Sequence, residues 1–313
     1  MAKKRKLKKL PVVILTSIII IIIGIIIAVK YIQKINSVEY KLEKIGYTET
    51  EVDTIKKLKD NEIETILNKE YDKIIPILLK EEYFLFKNLD SYLEYYKENS
   101  KKELKYLVAI VNVKANYEHY DTDAIVKADT SKNNLLLVNK YNYLDETYVP
   151  NELTNIPLTY AFDDNQTTKE VLSAFKNMWS AAKKQDLTLI VNSSYRDYKS
   201  QEEVWNYYDD LRGEEYADSI AARAGYSEHQ TGLALDIITY GANKNNFEET
   251  DEFKWLEKNA HKYGFILRYP KGKEDITGYA YESRHYRYVG IETATEIYNK
   301  KITYDEYYAY YQN

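Results

Sequence analysis

Residues 11–29 read PVVILTSIIIIIIGIIIAV, nineteen positions without a charge, and no other stretch restricts the chain so strongly. At about 1.5 Å per residue a helix of that length approaches the roughly 30 Å hydrocarbon thickness of a bilayer. A cleaved signal peptide would need a shorter apolar region followed by a small-residue site, and the sequence VKYIQKINS that follows offers none. The expectation is therefore an uncleaved transmembrane helix that anchors the protein in a lipid bilayer. Lys3, Lys4, Arg5, Lys6, Lys8 and Lys9 precede it with no acidic residue among them, so the positive-inside rule places residues 1–10 in the cytoplasm as a basic tail. Everything after Lys30 is then extracellular.

The exported part is acidic. With the six tail cations set aside, 38 basic residues face 49 acidic ones, a net charge of about −11, which disfavours nucleic acid or an anionic membrane surface as a partner. Cysteine is absent, which removes disulfides, thiolate metal sites and cysteine nucleophiles together. Any metal must be held by His, Asp or Glu. With 44% apolar against 30% charged residues, the 313-residue chain is globular in composition and long enough for about two extended units. The sequence fixes no oligomeric state.

Residues 30–102 read as a helical extracellular spacer. In TETEVDTIKKL a threonine stands three before a glutamate ahead of an apolar run, a capping-box pattern, and Pro76 is expected to break the longer apolar stretch that follows. A second domain is expected over 103–313. There ELKYLVAIVNV and NNLLLVNKY read as strands, and Thr167 to Glu170 as another capping box, opening a helix whose Val171, Phe175, Met178 and Trp179 share a core-facing stripe. LTLIVNSS, GLALDIITY, FILRYP and SRHYRYVG read as further extended segments, with helices over the second half of YRDYKSQEEVWNYYDDL and over DEFKWLEKNAHKYG. Strands and helices mix without regular βαβ alternation, so the fold class is α+β, a mostly antiparallel sheet flanked by helices. The tyrosine-rich ITYDEYYAYYQN is expected to be an amphipathic segment packed on the domain; the alternative is a sugar-stacking element.

Two of the four histidines sit in suggestive company. In SEHQTGLALD, His229 precedes a strand that carries Asp236, with Gly232 loosening the turn between them. In YESRHYRYVG, Glu282 stands three before His285. Two histidines and one carboxylate around an open fourth position form a recognised layout for catalytic zinc, and a further carboxylate can take the proton of the attacking water. Singly, each motif is commonplace. His119 and His261 lack a matching carboxylate pattern and are expected to face solvent.

In combination and in order, SSYRDYKSQ, SEHQTGLALD and ESRHYRYVG resemble the VanY-type zinc D-alanyl-D-alanine carboxypeptidases, which include VanX-like dipeptidases and L,D-carboxypeptidases; the likeness covers roughly residues 104–298. The resemblance implies a hedgehog/D,D-peptidase-like fold, one Zn2+ per catalytic domain with His229, Asp236 and His285 as ligands, and Glu282 as general base. It further implies that Arg196 stabilises the oxyanion or holds substrate, that Gln201 and Ser227 line the pocket, and that the substrate is a peptidoglycan stem peptide. Two positions depart from the pattern: Arg284 stands where relatives often carry tryptophan, and Ala224 where proline is common. Arginine suits recognition of a free terminal carboxylate, so Arg196, Arg284 and Arg287 are candidates for that role, with a structural salt bridge as the alternative for Arg287. Removal of the terminal D-alanine is the leading expectation. L,D-carboxypeptidase or endopeptidase action on the same substrate class is the second, and a zinc-stabilised wall-binding module without turnover the third. The module reading expects the base or the arginine to be lost, whereas Glu282 and Arg196 are both retained.

Overall fold

In the computed structural model, residues 9–120, 123–242 and 246–312 are described. Helix α1 (Lys9–Asn36) has 28 residues, and its segment Ile14–Asn36, of mean hydropathy 2.7, has an apolar window that the rest of the protein leaves unburied. By length and composition such a helix fits a membrane span, a test that an N-terminal signal sequence can also pass. The tail cations Lys3, Lys4, Arg5, Lys6 and Lys8 lie outside the described residues.

The chain divides into two compact units at Leu93/Glu94. In the first, the short helices α2 (Val38–Ile45), α3 (Glu49–Ile55), α4 (Asp60–Leu67) and α5 (Ile75–Leu78) bury Leu42, Val52, Ile55, Ile63, Ile66 and Ile75 together. The capping box opens α3 as its sequence dictates: the Thr48 N–H donates to the Glu51 carboxylate at 2.8 Å. Pro76 falls in the first turn of α5, where its missing N–H leaves no hydrogen bond broken, and the chain between Leu67 and Ile75 is not helical. Helix α6 (Leu89–Asn99) runs across the division.

The second unit corrects three local readings. ELKYLVAIVNV is a helix, α7 (Leu104–Asn112), and not a strand. Its Leu104, Leu107, Val108 and Val111 recur at helical spacing, and that period outweighs the β-branched content. NNLLLVNKY begins as a 3-10 turn, Thr130–Leu135, and continues extended without a ladder, although Leu136, Leu137 and Val138 are buried. Part of the reason is that the Arg287 guanidinium takes the carbonyls of Asn134 and Leu136 at 3.1 and 2.6 Å, occupying acceptors that a neighbouring strand would need. The third correction is one residue in size. Helix α8 (Lys169–Lys183) is capped by Thr168, whose side chain accepts from the Val171 N–H, while Thr167 belongs to a strand.

Strands β1 (Val126–Lys127) and β2 (Asn142–Tyr143) form a two-residue parallel pair, and β3 (Leu153–Asn155) and β4 (Gln166–Thr168) an antiparallel one. The principal sheet has four strands, β5 (Ile190–Ser193), β6 (Ala234–Ile238), β7 (Phe265–Tyr269) and β8 (Glu282–Tyr288), in the order β5-β6-β8-β7 with every pair antiparallel. The fold is thus mixed α and β with small sheets, the largest of them antiparallel. Helices α9 (Tyr198–Arg212) and α10 (Glu214–Ile220) lie between β5 and β6 in sequence, α11 (Asp251–Asn259) between β6 and β7, and α12 (Glu274–Thr277) between β7 and β8; α13 (Ile291–Lys300) and α14 (Tyr304–Tyr311) end the chain.

Alternation along the strands gives the sheet two different faces. One carries Val191, Leu235, Ile237, Phe265 and Tyr286 into the main core, where Val171, Phe175 and Met178 of α8 meet them with Trp179 at the margin. On the other, Ile266 packs with Val289, Ala294, Ile297, Tyr304 and Tyr307 under α13 and α14, and Asp236, His285, Arg268 and Arg287 are buried beside it. The tyrosine-rich tail is accordingly a packed helix, with Tyr304, Asp305, Glu306 and Tyr307 all buried.

Candidate metal centre and catalytic cleft

The polar face of the sheet brings the two sequence clusters together through strand register. Asp236 of β6 pairs with His285 of β8 on one side and with Ser193 of β5 on the other, so all three side chains emerge on one face. His229 reaches them from the 3-10 turn Glu228–Thr231. This turn is capped by the Ser227 hydroxyl, which accepts from the His229 N–H at 3.3 Å, and is reversed by Gly232 at φ +67°. A side chain at Gly232 would strain that left-handed backbone and press on Pro150.

Each of His229, Asp236 and His285 offers one ligand atom within 4.8 Å of the others, and all three residues are buried. The Oδ1 atom of Asp236 lies 3.6 Å from His229 Nε2 and 3.1 Å from His285 Nδ1. Both imidazoles are oriented from behind. His229 Nδ1 lies 2.6 Å from the Ser194 carbonyl, which fixes the proton on Nδ1 and leaves the Nε2 lone pair facing the cluster. His285 Nε2 lies 3.3 Å from Glu228 Oε2, leaving Nδ1 as its inward atom. Burial, with Arg196 nearby, lowers the His229 pKa to about 3, so the ring is neutral, the form that binds metal. Burial would also lower that of His285, but the Asp236 and Glu228 carboxylates outweigh it and raise it to about 9. For Asp236, burial pushes upward, but the hydrogen bond and charge of His285 and the charge of Arg284 overcome it and hold the carboxyl well below its usual range. A carboxylate oxygen and two imidazole nitrogens so disposed suit zinc.

The cluster opens into a cleft of about 390 Å³ that is also lined by Arg196, Gln201, Ser227, Glu282 and Arg284, so the site residues expected from the sequence lie in one place, with the candidate Arg287 outside the lining. Arg196 is held by two donated bonds, Nη1 to Gln201 Oε1 at 2.8 Å and Nη2 to Ser193 Oγ at 2.9 Å; Gln201 in turn donates to the Ala222 carbonyl at 2.7 Å. Glu282 pairs with the Arg284 guanidinium, whose Nε lies 3.4 Å from Asp236 Oδ2. Burial and the nearby Asp236 charge raise the Glu282 pKa above its usual value despite Arg284, His285 and Arg196, which makes it a stronger proton acceptor.

The matching family model is described as VanY, D-alanyl-D-alanine carboxypeptidase, and spans residues 164–291. YodJ of Bacillus subtilis (strain 168), provisionally described as a carboxypeptidase, is 40% identical over 196 residues, 59% of this chain and 71% of that protein. A D-alanyl-D-alanine carboxypeptidase of Enterococcus faecium is 32% identical over 249 residues, 77% of this chain and 74% of its own length. This chain belongs to the VanY family of D-alanyl-D-alanine carboxypeptidases. It is therefore an enzyme of the metallopeptidase class. Among solved structures, the LdcB LD-carboxypeptidase matches this VanY-family member with a TM-score of 0.57 and 39% identity, over 62% of this chain and 94% of that one. A point mutant of the vancomycin resistance D,D-pentapeptidase VanY, solved in complex with Zn(II), matches with a TM-score of 0.50 and 32% identity, over 56% and 98%.

Several residues of the site escaped sequence reading. Glu228 occupies an unspecified position of the SxHxxGxAxD pattern, yet it is buried against His285. It is clamped by Arg268 and by Arg287, whose Nε and Nη1 respectively lie 2.8 Å from Glu228 Oε1. Arg287 is thus a structural ion-pair residue and does not line the cleft. The one available signal was charge inside apolar strands, in FILRYP and HYRYVG, which implies buried partners. The cleft wall built by Val204 and Tyr208 of α9 with Tyr216 and Ile220 of α10 was also missed, because nothing local in a surface-patterned helix marks it as a wall. His119 is exposed, as expected, while His261 is partly covered by Tyr298, whose ring stacks on it at 3.8 Å.

Proposed function

We propose that the protein is a membrane-anchored zinc D-alanyl-D-alanine carboxypeptidase, held outside the bilayer by α1, that removes the terminal D-alanine from peptidoglycan stem peptides. The observation that carries this reading is the convergence of His229, Asp236 and His285 in the cleft that also holds Glu282 and Arg196. One zinc ion held by those three residues would supply Lewis acidity, polarising the scissile carbonyl and lowering the pKa of water from about 15.7 to about 7.

The remaining steps belong to the chain. Glu282, with its raised proton affinity, accepts a proton from the attacking water and returns it to the leaving amine of D-alanine. Arg196, fixed by Gln201 and Ser193, is placed to donate to the developing oxyanion, an effect of about 3 to 4 kcal/mol for one well-placed donor. Arg284 lies beside Glu282 and Asp236, where substrate entry can exchange one of its carboxylate partners for the free terminal carboxylate of the peptide. Ser227 and the tyrosines of α9 and α10 bound the space left for the terminal residue.

L,D-carboxypeptidase action is the second reading, favoured by the 39% identity to an LD-carboxypeptidase structure. The test is to incubate the full chain in detergent with stem pentapeptide and stem tetrapeptide, with and without a chelator. Chelator-sensitive release of D-alanine from pentapeptide alone supports the D,D reading, and release from tetrapeptide supports the L,D reading. No release from either with zinc present, and no effect of Glu282→Gln on binding, supports a wall-binding module.

A further inference from the structure

Behind the cleft lies a buried charge network. Glu228, Arg268 and Arg287 have fully buried side chains, and Asp305 of α14 is 3% exposed. Arg268 donates through Nε to Glu228 Oε1 at 2.8 Å, and through Nη1 and Nη2 to the two Asp305 oxygens at 2.6 and 3.1 Å. Arg287 Nη1 reaches the same Glu228 oxygen at 2.8 Å. Both guanidinium groups therefore converge on Oε1 of Glu228, and Oε2 is the oxygen left for His285 Nε2 at 3.3 Å. The His285 ring is flanked by Tyr269, with centroids 5.0 Å apart, and by the edge of His229, also at 5.0 Å.

A metal-binding imidazole needs its outer nitrogen to carry a proton, so that the inner one presents a lone pair, and an outer carboxylate enforces that choice. From this geometry we infer that Glu228 is the positioning residue of the metal centre. Pinned by Arg268 and Arg287, it holds the proton of His285 on Nε2 and keeps Nδ1 directed at the ion. The inference rests on the metal reading above, and it extends the working site to Arg268, Arg287 and, through Arg268, to Asp305 in the last helix. His229 needs no such carboxylate, because the Ser194 carbonyl performs that task.

Glu228→Gln is the informative substitution because it is nearly isosteric. With two guanidinium groups on one side, the glutamine must turn its carbonyl oxygen towards them and its NH2 group towards His285. Two donors then meet, and the imidazole proton is driven to Nδ1, the atom that must bind metal. The expected result is a 10- to 100-fold loss of zinc affinity, measured on the full chain in detergent by competition with a chromogenic chelator. The ¹⁵N spectrum of His285 in the metal-free variant is expected to move to the Nδ1–H pattern. Wild-type protein is measured first: if it binds no zinc, the metal reading itself fails. If wild type binds zinc and Glu228→Gln binds it equally well with an unchanged ring pattern, this inference alone is overturned. Should the variant not fold, the zinc-loaded wild type decides. A proton retained on His285 Nε2 supports the role of Glu228, and one on Nδ1 overturns it.

Discussion

Replacing Arg268 by methionine tests how much of the second unit's stability depends on the charge network. The side chain is fully buried and donates three charge-assisted bonds. After Arg268→Met, Glu228 keeps Arg287 and His285, but Asp305 loses its guanidinium and keeps the neutral Asn139 side-chain amide, which donates to it at 2.8 Å. Breaking a buried ion pair from one side costs about 3 to 5 kcal/mol, mostly because a charge is left buried without compensation. For a unit of this size that corresponds to a fall in Tm of roughly 6 to 20 °C. The cost should be partly recovered in Arg268→Met/Asp305→Asn, where the orphaned charge is also removed, giving a coupling of at least about 1 kcal/mol. Denaturant unfolding followed by tryptophan fluorescence suits the measurement, since all three tryptophans, Trp179, Trp205 and Trp255, lie in the second unit. A chelator keeps metal binding out of the balance. A loss below about 1 kcal/mol for the single variant, or a double variant no more stable than the single, would refute the argument that these charges depend on one another.

Three further outcomes are expected. Glu282→Gln should lower kcat by about 10²- to 10⁴-fold while zinc content, measured by atomic absorption, stays at the wild-type level. Gly232→Ala should destabilise the second unit by roughly 1 to 3 kcal/mol in denaturant titration, because φ is +67° and a Cβ there would lie 3.0 Å from Pro150 and 3.3 Å from Thr168. Lys140 is buried, and desolvation lowers its pKa from 10.5 to about 8 against the opposing pull of Asp218. Between those pH values the unfolded state binds more protons than the folded one, so this group makes stability rise with pH. The stability difference between wild type and Lys140→Met should move in favour of wild type by up to about 3 kcal/mol from pH 8 to 10.5, and a flat difference would contradict the assignment.

What could be read from the sequence depended on whether the determining interaction was local or distant. Helix α8, the four strands of the principal sheet and the grouping of His229, Asp236, His285, Glu282 and Arg196 were legible, because period, caps and motif spacing are carried within short windows. Segment 104–112 was misread because β-branched content was weighed above its spacing of three and four. Segment 136–138 was misread in part for a reason no window contains: Arg287, some 150 residues later, donates to the carbonyls of Asn134 and Leu136. Glu228 was invisible for the same reason. It stands between Ser227 and His229 in the motif itself, but nothing local marks its own side chain, and its role appears only once β7, β8 and α14 bring Arg268, Arg287 and Asp305 to the back of His285.

The pairing of Asp236 with His285 across β6 and β8 has a consequence for how the enzyme becomes competent. These residues are 49 positions apart, so no short fragment carries both, and a slip of one residue between the strands would turn the imidazole towards the apolar layer. Under the proposed metal reading, capture of the ion would act as a checkpoint on strand alignment, since a mispaired molecule would have no grip on zinc and no means of cutting a peptide.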